Sequence, residues 1–248
     1  MNVKLFAIVS CALLSSAALA GEVRLVSTVA AQTSLEELKP AFERATPHKL
    51  NIRLGTSIPL ERDLQAGAPF DVTILTPGLV GQLAKAGKVD GASQVDFART
   101  GLALAGPKGA PVPDIATAES LKRTLMNANS VSYSKEGQSG IAAAKLLDQL
   151  GIREQLVPRT VFETRPAGPL MAIEEGKAEL GFGLVSEIVA RPTVANIGPV
   201  PSELQSYMVL SAGVSSSAQD AAAAKAFVEF LRTPEARAVM QKKGLEGL

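Results

Sequence analysis

The chain is short of the residue types that most often carry catalysis or covalent bracing. Its 248 residues include no tryptophan, one histidine, one cysteine and two tyrosines. The cysteine, Cys11, falls in the first twenty residues, so the rest can form no disulfide and must be stable through packing alone. His48, beside Pro47 at a predicted helix-to-strand connection, has no second histidine or cysteine at metal-ligand spacing and no partner for a serine-based triad. Neither sign of charge is in excess. Lys and Arg number 25 against 24 Asp and Glu, with no basic stripe, which argues against a nucleic-acid surface. No apolar run reaches the roughly 20 residues of a membrane span.

What is present starts with MNVKLFAIVSCALLSSAALA. Lys4 supplies a basic start, Leu5 to Leu14 an apolar stretch and Ala18-Leu19-Ala20 the small residues of a cleavage site, so the chain reads as exported to the periplasm and cut after Ala20. Ile8 to Cys11 loosely matches a lipoprotein box, but only about six apolar residues precede the cysteine, fewer than the roughly 7–15 of a working leader. Outside the inner membrane there is no ATP and little reducing cofactor. The expected activity is therefore binding or a cofactor-free reaction, with no metal and no cofactor.

Short apolar runs alternate with helical patterns, the rhythm of βαβ units and an α/β fold. Strands are expected at Val23–Ser27, Leu50–Leu54, Val72–Leu75, Gly101–Ala105, Ser130–Tyr133, Val161–Phe162, Leu180–Leu184 and Tyr207–Ala212. Helices are expected at Thr33–Ala45 with a kink or later start at Pro40, then Leu60–Gln65, a helix opened by Pro77, Thr117–Leu125, Ile141–Leu150, Pro169–Glu175, Ala218–Leu231 and Pro234–Lys243.

Four strand-to-helix loops carry hydroxyls and glycines: Ser27-Thr28, Thr56-Ser57, Ser139-Gly140 and Ala167-Gly168. A helix start leaves about four N–H groups unpaired and carries partial positive charge, so it attracts anions. If these loops converge at the carboxyl ends of the strands, they ring a small anion. Each is equally readable as an ordinary N-cap.

The series VRLVSTVAAQTSLEELKPAFE, LGTSIPLERDLQAGAPFDVTIL, QSGIAAAKLLDQLG and GKAELGFGLVSE resembles, in order, the periplasmic molybdate-binding proteins of ABC importers. The resemblance implies a type II periplasmic binding protein: two α/β lobes, a two-strand hinge, a small anion clamped between lobes, an ABC permease as partner, and a monomer. It places 21–102 with 205–248 in one lobe and 103–204 in the other. The family's first binding hydroxyl falls at Ala30, near Ser27, Thr28 and Thr33; its second at Ser57 or Thr56; its third at Ser139. The fourth position is Pro166, which has no N–H, and the family's tyrosine is Leu184. With two donors gone and Arg165 added beside them, the expected ligand is a small anion, a small organic carboxylate ahead of a molybdate-like oxyanion. An aconitate isomerase is similar to the same family, so the alternative is a cofactor-free isomerase of an unsaturated tricarboxylate. Tyr133, Lys135 or Glu136 would then be its acid–base group.

Overall fold

The computed structural model describes residues 21–248, so the expected leader lies outside the described residues. The first strand–helix units are β1 (Glu22–Thr28), α1 (Gln32–Ala45), β2 (Lys49–Gly55), α2 (Ser57–Gln65), β3 (Val72–Leu75) and α3 (Pro77–Lys85). β1 lies parallel between β2 and β3. Its successive side chains serve opposite faces: Leu25 joins Leu35, Phe42 and Phe227 in one core, and Val26 joins Leu60, Leu75 and Val80 in another.

β4 (Val95–Pro107) carries the chain into the second lobe. There α4 (Ala118–Asn127), β5 (Val131–Ser134), α5 (Gln138–Gln149), α6 (Arg153–Leu156), β6 (Thr160–Glu163), α7 (Gly168–Glu174), β7 (Leu180–Leu184), α8 (Val185–Val189) and β8 (Val194–Pro199) follow. β5 lies parallel to β6 and β7. Alternation again gives two cores, Leu102 and Leu104 facing Tyr133 and Phe182, and Ala103 and Ala105 facing Leu170 and Ile188. The chain then returns through β9 (Tyr207–Val214), α9 (Ala221–Phe230), α10 (Pro234–Lys242) and β10 (Glu246–Gly247).

The strand order is β2-β1-β3-β9-β4-β7-β5-β6, with β8 and β10 also on β4. β4 belongs to both lobes. It pairs with β9 through Val95–Gly101 and with β7 through Leu102–Ala105. At the crossing, the Gln205 side chain accepts the Leu102 N–H at 2.7 Å and donates to the Leu102 carbonyl at 3.0 Å, tying the outgoing and returning chains together. Gly101 leaves that side chain room, since a Cβ there would stand 3.0 Å from Gln205 Nε2.

The segment QAGAPFD ends in a fully buried Asp71. Asp71 accepts both the side chain and the backbone N–H of Arg24, at 2.8–2.9 Å, and the Gln219 N–H at 2.8 Å. Burial alone would push its carboxyl up, but these donors outweigh that and hold it below the usual aspartate range. The motif's carboxylate therefore ties β1 to the loop ahead of α9.

Several elements differ from the sequence reading. α1 runs unbroken through Pro40, because the missing bond falls on an exposed face while Leu35, Leu38, Ala41 and Phe42 anchor the other. α2 begins at Ser57 rather than Leu60, and β4 is 13 residues long. β8, α6 and α8 were not apparent. α8 follows β7 with no intervening loop, so no turn residue marks it.

Candidate functional site

Between the lobes lies a narrow cleft. The first lobe contributes Thr28 and Val29 after β1, Thr56 and Ser57 at the start of α2, and Met208 of β9. The second contributes Ser134, Gly137, Gln138 and Ser139 around the start of α5, Arg165, Pro166, Ala167 and Pro169 around α7, and Leu184 and Glu187 where β7 meets α8. Of the anticipated ligand residues, Thr28, Thr56, Ser57, Ser139, Arg165, Pro166, Ala167 and Leu184 line the cleft.

Ser27, Ala30, Gly140 and Gly168 do not line it. Ser27 spends its hydroxyl on the Thr28 carbonyl at 3.1 Å, and Ala30 is buried in the turn before α1. The two glycines permit close packing: a Cβ at Gly140 would come 1.7 Å from the Ser134 carbonyl oxygen, and one at Gly168 would come 2.9 Å from Glu163 Oε2.

The helix starts at the cleft differ from ordinary N-caps. Thr117, Asp220 and Thr233, remote from the cleft, accept the backbone N–H groups of Ser120, Ala223 and Ala236. Thr28 and Thr56 occupy the same cap position without doing so, and the α5 cap is Gly137, which has no side chain. Thr76, which opens α3, is also uncapped, but it does not line the cleft. Among the described residues the hydroxyls of Thr28, Thr56, Ser57 and Ser139 have no hydrogen-bond partner, while all four line the cleft. Together with the starts of α2 and α5 they form a set of uncommitted donors facing one space.

Arg165 reaches the cleft already engaged. Its Nε and Nη2 donate to Glu163 at 2.9 and 2.7 Å, and Nη1 and Nη2 donate to Glu175 at 2.9 and 3.3 Å. Of its five N–H groups one is left for a ligand. The pairing raises the guanidinium pKa and lowers that of Glu163. Arg165, with help from Lys177, holds the Glu175 carboxyl at about 2. Beside it, Ala167 has φ 54°, the one non-glycine residue with positive φ among the described residues. Such strain is typical of ligand-contacting loops.

Glu187 was not anticipated. Its Oε2 accepts the Leu184 N–H at 3.1 Å, while Oε1 has no partner among the described residues. Burial pushes the carboxyl up, against the smaller opposing pulls of the Leu184 N–H and Arg191. It also lines an adjoining chamber together with Val29, Glu36, Ala167, Glu174 and Arg191. The sequence signal was a glutamate three residues past the last strand residue, the spacing of a capping carboxylate.

The proposed acid–base trio is placed elsewhere. Tyr133 is 4% exposed, packs edge-on against Phe162 at 5.1 Å and belongs to the second-lobe core. Lys135 is exposed, and Glu136 faces Arg62 of the opposite lobe at 4.0 Å; neither lines the cleft. His48 accepts the Gly21 N–H at 3.2 Å on the far side of the first lobe. No cluster of three metal-ligating side chains occurs among the described residues, and none of their helices is long and apolar enough to cross a membrane.

Comparison with known proteins places this architecture. An aconitate isomerase from Pseudomonas sp is 31% identical over 221 residues, 86% of this chain and 83% of that protein. The molybdate-binding protein ModA of Azotobacter vinelandii is 27% identical over 235 residues, 94% of this chain and 92% of that protein. The solved periplasmic molybdate-binding protein of Azotobacter vinelandii superposes with a TM-score of 0.78 at 22% identity, over 90% of this chain and 98% of that one, which establishes the type II periplasmic-binding-protein fold. The family model for bacterial extracellular solute-binding protein matches residues 23–246, and the chain belongs to that family.

Proposed function

We propose that the protein captures a small organic acid between its lobes for an ABC importer. The mixed lining of the cleft carries this reading. Uncommitted donors at Thr28, Thr56, Ser57 and Ser139 share it with the apolar Val29, Pro166, Pro169, Leu184 and Met208, which leave part of its wall without donors. A tetrahedral oxyanion presents acceptors in every direction, and each one left against that wall costs about 1–3 kcal/mol. A carboxylate with a hydrocarbon body suits both parts, its oxygens on the hydroxyls and helix starts, its carbons on the wall. Arg165 contributes one N–H, because Glu163 and Glu175 take the rest. The recognition is therefore mainly by neutral donors.

A thermal-shift screen of the mature protein against molybdate, tungstate, sulfate, succinate, citrate and trans-aconitate tests the assignment. An organic acid at a hundredfold excess over its Kd adds about 2.7 kcal/mol, or roughly 5–10 °C in Tm for a chain of this size. A shift by molybdate or tungstate larger than by any carboxylate would overturn it.

A second reading, an isomerase moving an allylic proton in an unsaturated tricarboxylate, is favoured by Glu187 and by the 31% identical isomerase. A carboxyl raised by burial takes and returns a proton near neutrality more readily than an ordinary one. Here Glu187 replaces Tyr133, Lys135 and Glu136 as the acid–base group. Incubation with trans-aconitate should yield the cis isomer with the native protein and none with Glu187→Gln; no conversion by concentrated native protein would end this reading.

A further inference from the structure

We infer that Glu187 makes ligand capture proton-linked: its free Oε1 and a carboxylate of the bound acid share one hydrogen, so the cleft takes up one proton with each anion. The inference rests on the organic-acid reading and adds to it the charge state in which the ligand is held.

Every other polar side chain on the cleft wall is a neutral hydroxyl or amide, or is Arg165 locked between Glu163 and Glu175. Glu187, which is half-buried, alone presents an acceptor-only oxygen, and no group among the described residues donates to it. An ionised carboxylate facing a second carboxylate is repulsive in a site walled by Leu184 and Pro166, and a single shared proton turns that repulsion into a hydrogen bond.

The surrounding charges leave this arrangement standing. Arg191 is the nearby cation, but its guanidinium is tied to Glu174 at 2.7 Å, and Glu174 also accepts the Thr193 hydroxyl. Glu36 of α1 lines the adjoining chamber and adds negative charge, and β4 presents the neutral Thr100 to the start of α8. Arg165 faces the cleft with its charge matched by two glutamates. The raised carboxyl pKa agrees with this geometry, and the adjoining chamber gives Glu187 a second side from which a proton can arrive.

Calorimetric titration of native protein with trans-aconitate, citrate and succinate, from about pH 5.5 to about pH 8.5 and in two buffers of different ionisation heat, reads the linkage directly. The expected result is proton uptake that rises toward one per ligand on the alkaline side, with an affinity that falls there by up to about tenfold per pH unit. In Glu187→Gln the amide donates permanently, so affinity should be flat apart from the ligand's own titration, and at least as tight as native at the alkaline end. Equal pH profiles in the two proteins, or no proton uptake by native protein, would overturn the inference while leaving the organic-acid reading intact. Failure of all three acids to bind native protein at any pH would remove that reading itself. The proton count needs no variant, so it decides even if the substitution impairs folding.

Discussion

Single residues divide here into those that brace and those that face the ligand, and the sequence does not separate them. Asp71 ends the most recognisable motif of the chain, yet it lies fully buried under Arg24 and Gln219. Asp71→Ala should cost about 1.5–3 kcal/mol in urea unfolding, because the partly exposed Arg24 and the Gln219 N–H lose a buried charged acceptor. Its carboxyl is held below the ordinary range, so this stabilisation is complete above the usual aspartate pKa of about 3.9 and drains away as pH falls through the lowered value. Glu187 runs the other way: the folded state holds its proton more tightly than the unfolded one, and stability declines as pH rises through the raised pKa. Arg165 invites the simplest mistake. A lone arginine in a ligand loop reads as a carboxylate clamp, but Glu163 and Glu175 are two and ten residues away in sequence, and only the fold shows that they occupy it. Arg165→Ala should weaken anion binding mainly by leaving two glutamates uncompensated. Adding Glu175→Gln should then restore part of the affinity, as measured by titration calorimetry; no recovery would mean that the lost N–H was the main contact.

At the scale of helices and strands, the α/β alternation was legible because period-two strands and capped helices leave local marks, such as Val72–Leu75 between Pro69 and Pro77. The helix starts at Thr28, Thr56 and Ser139 were legible as positions but ambiguous in role, since a cap and a ligand donor use the same residue type. The ambiguity has a direct test. Thr117→Ala should lower stability by about 1 kcal/mol and leave affinity unchanged, because that hydroxyl caps α4. Ser57→Ala and Ser139→Ala should do the reverse, each weakening binding about fivefold for one lost hydrogen bond while the Tm of the ligand-free protein stays within a degree or two. A fall in ligand-free Tm matching that of Thr117→Ala would return these hydroxyls to the role of caps. α8 escaped notice because it abuts β7 with no turn between them, and β8 because Gly198 and Pro199 interrupt its strand pattern.

For the whole molecule, the sequence pointed to two lobes but not to how tightly one strand joins them. β4 is hydrogen-bonded to β9 in its first half and to β7 in its second, with Gln205 clasping Leu102 between. Neither sheet can be dismantled without disturbing the other, so calorimetry should record one unfolding transition with equal calorimetric and van't Hoff enthalpies. Two resolved transitions would show that the crossing is too weak to couple the lobes.

The position of β9 has a consequence in time as well as in space. It fills the slot between β3 and β4, strands made more than a hundred residues earlier. Until residue 214 has been synthesised, the first sheet lacks the strand that joins β3 to β4 and its faces cannot close. The first lobe therefore stays open until late in synthesis, while the second, whose strands β5 to β8 are all made by residue 199, does not wait for it.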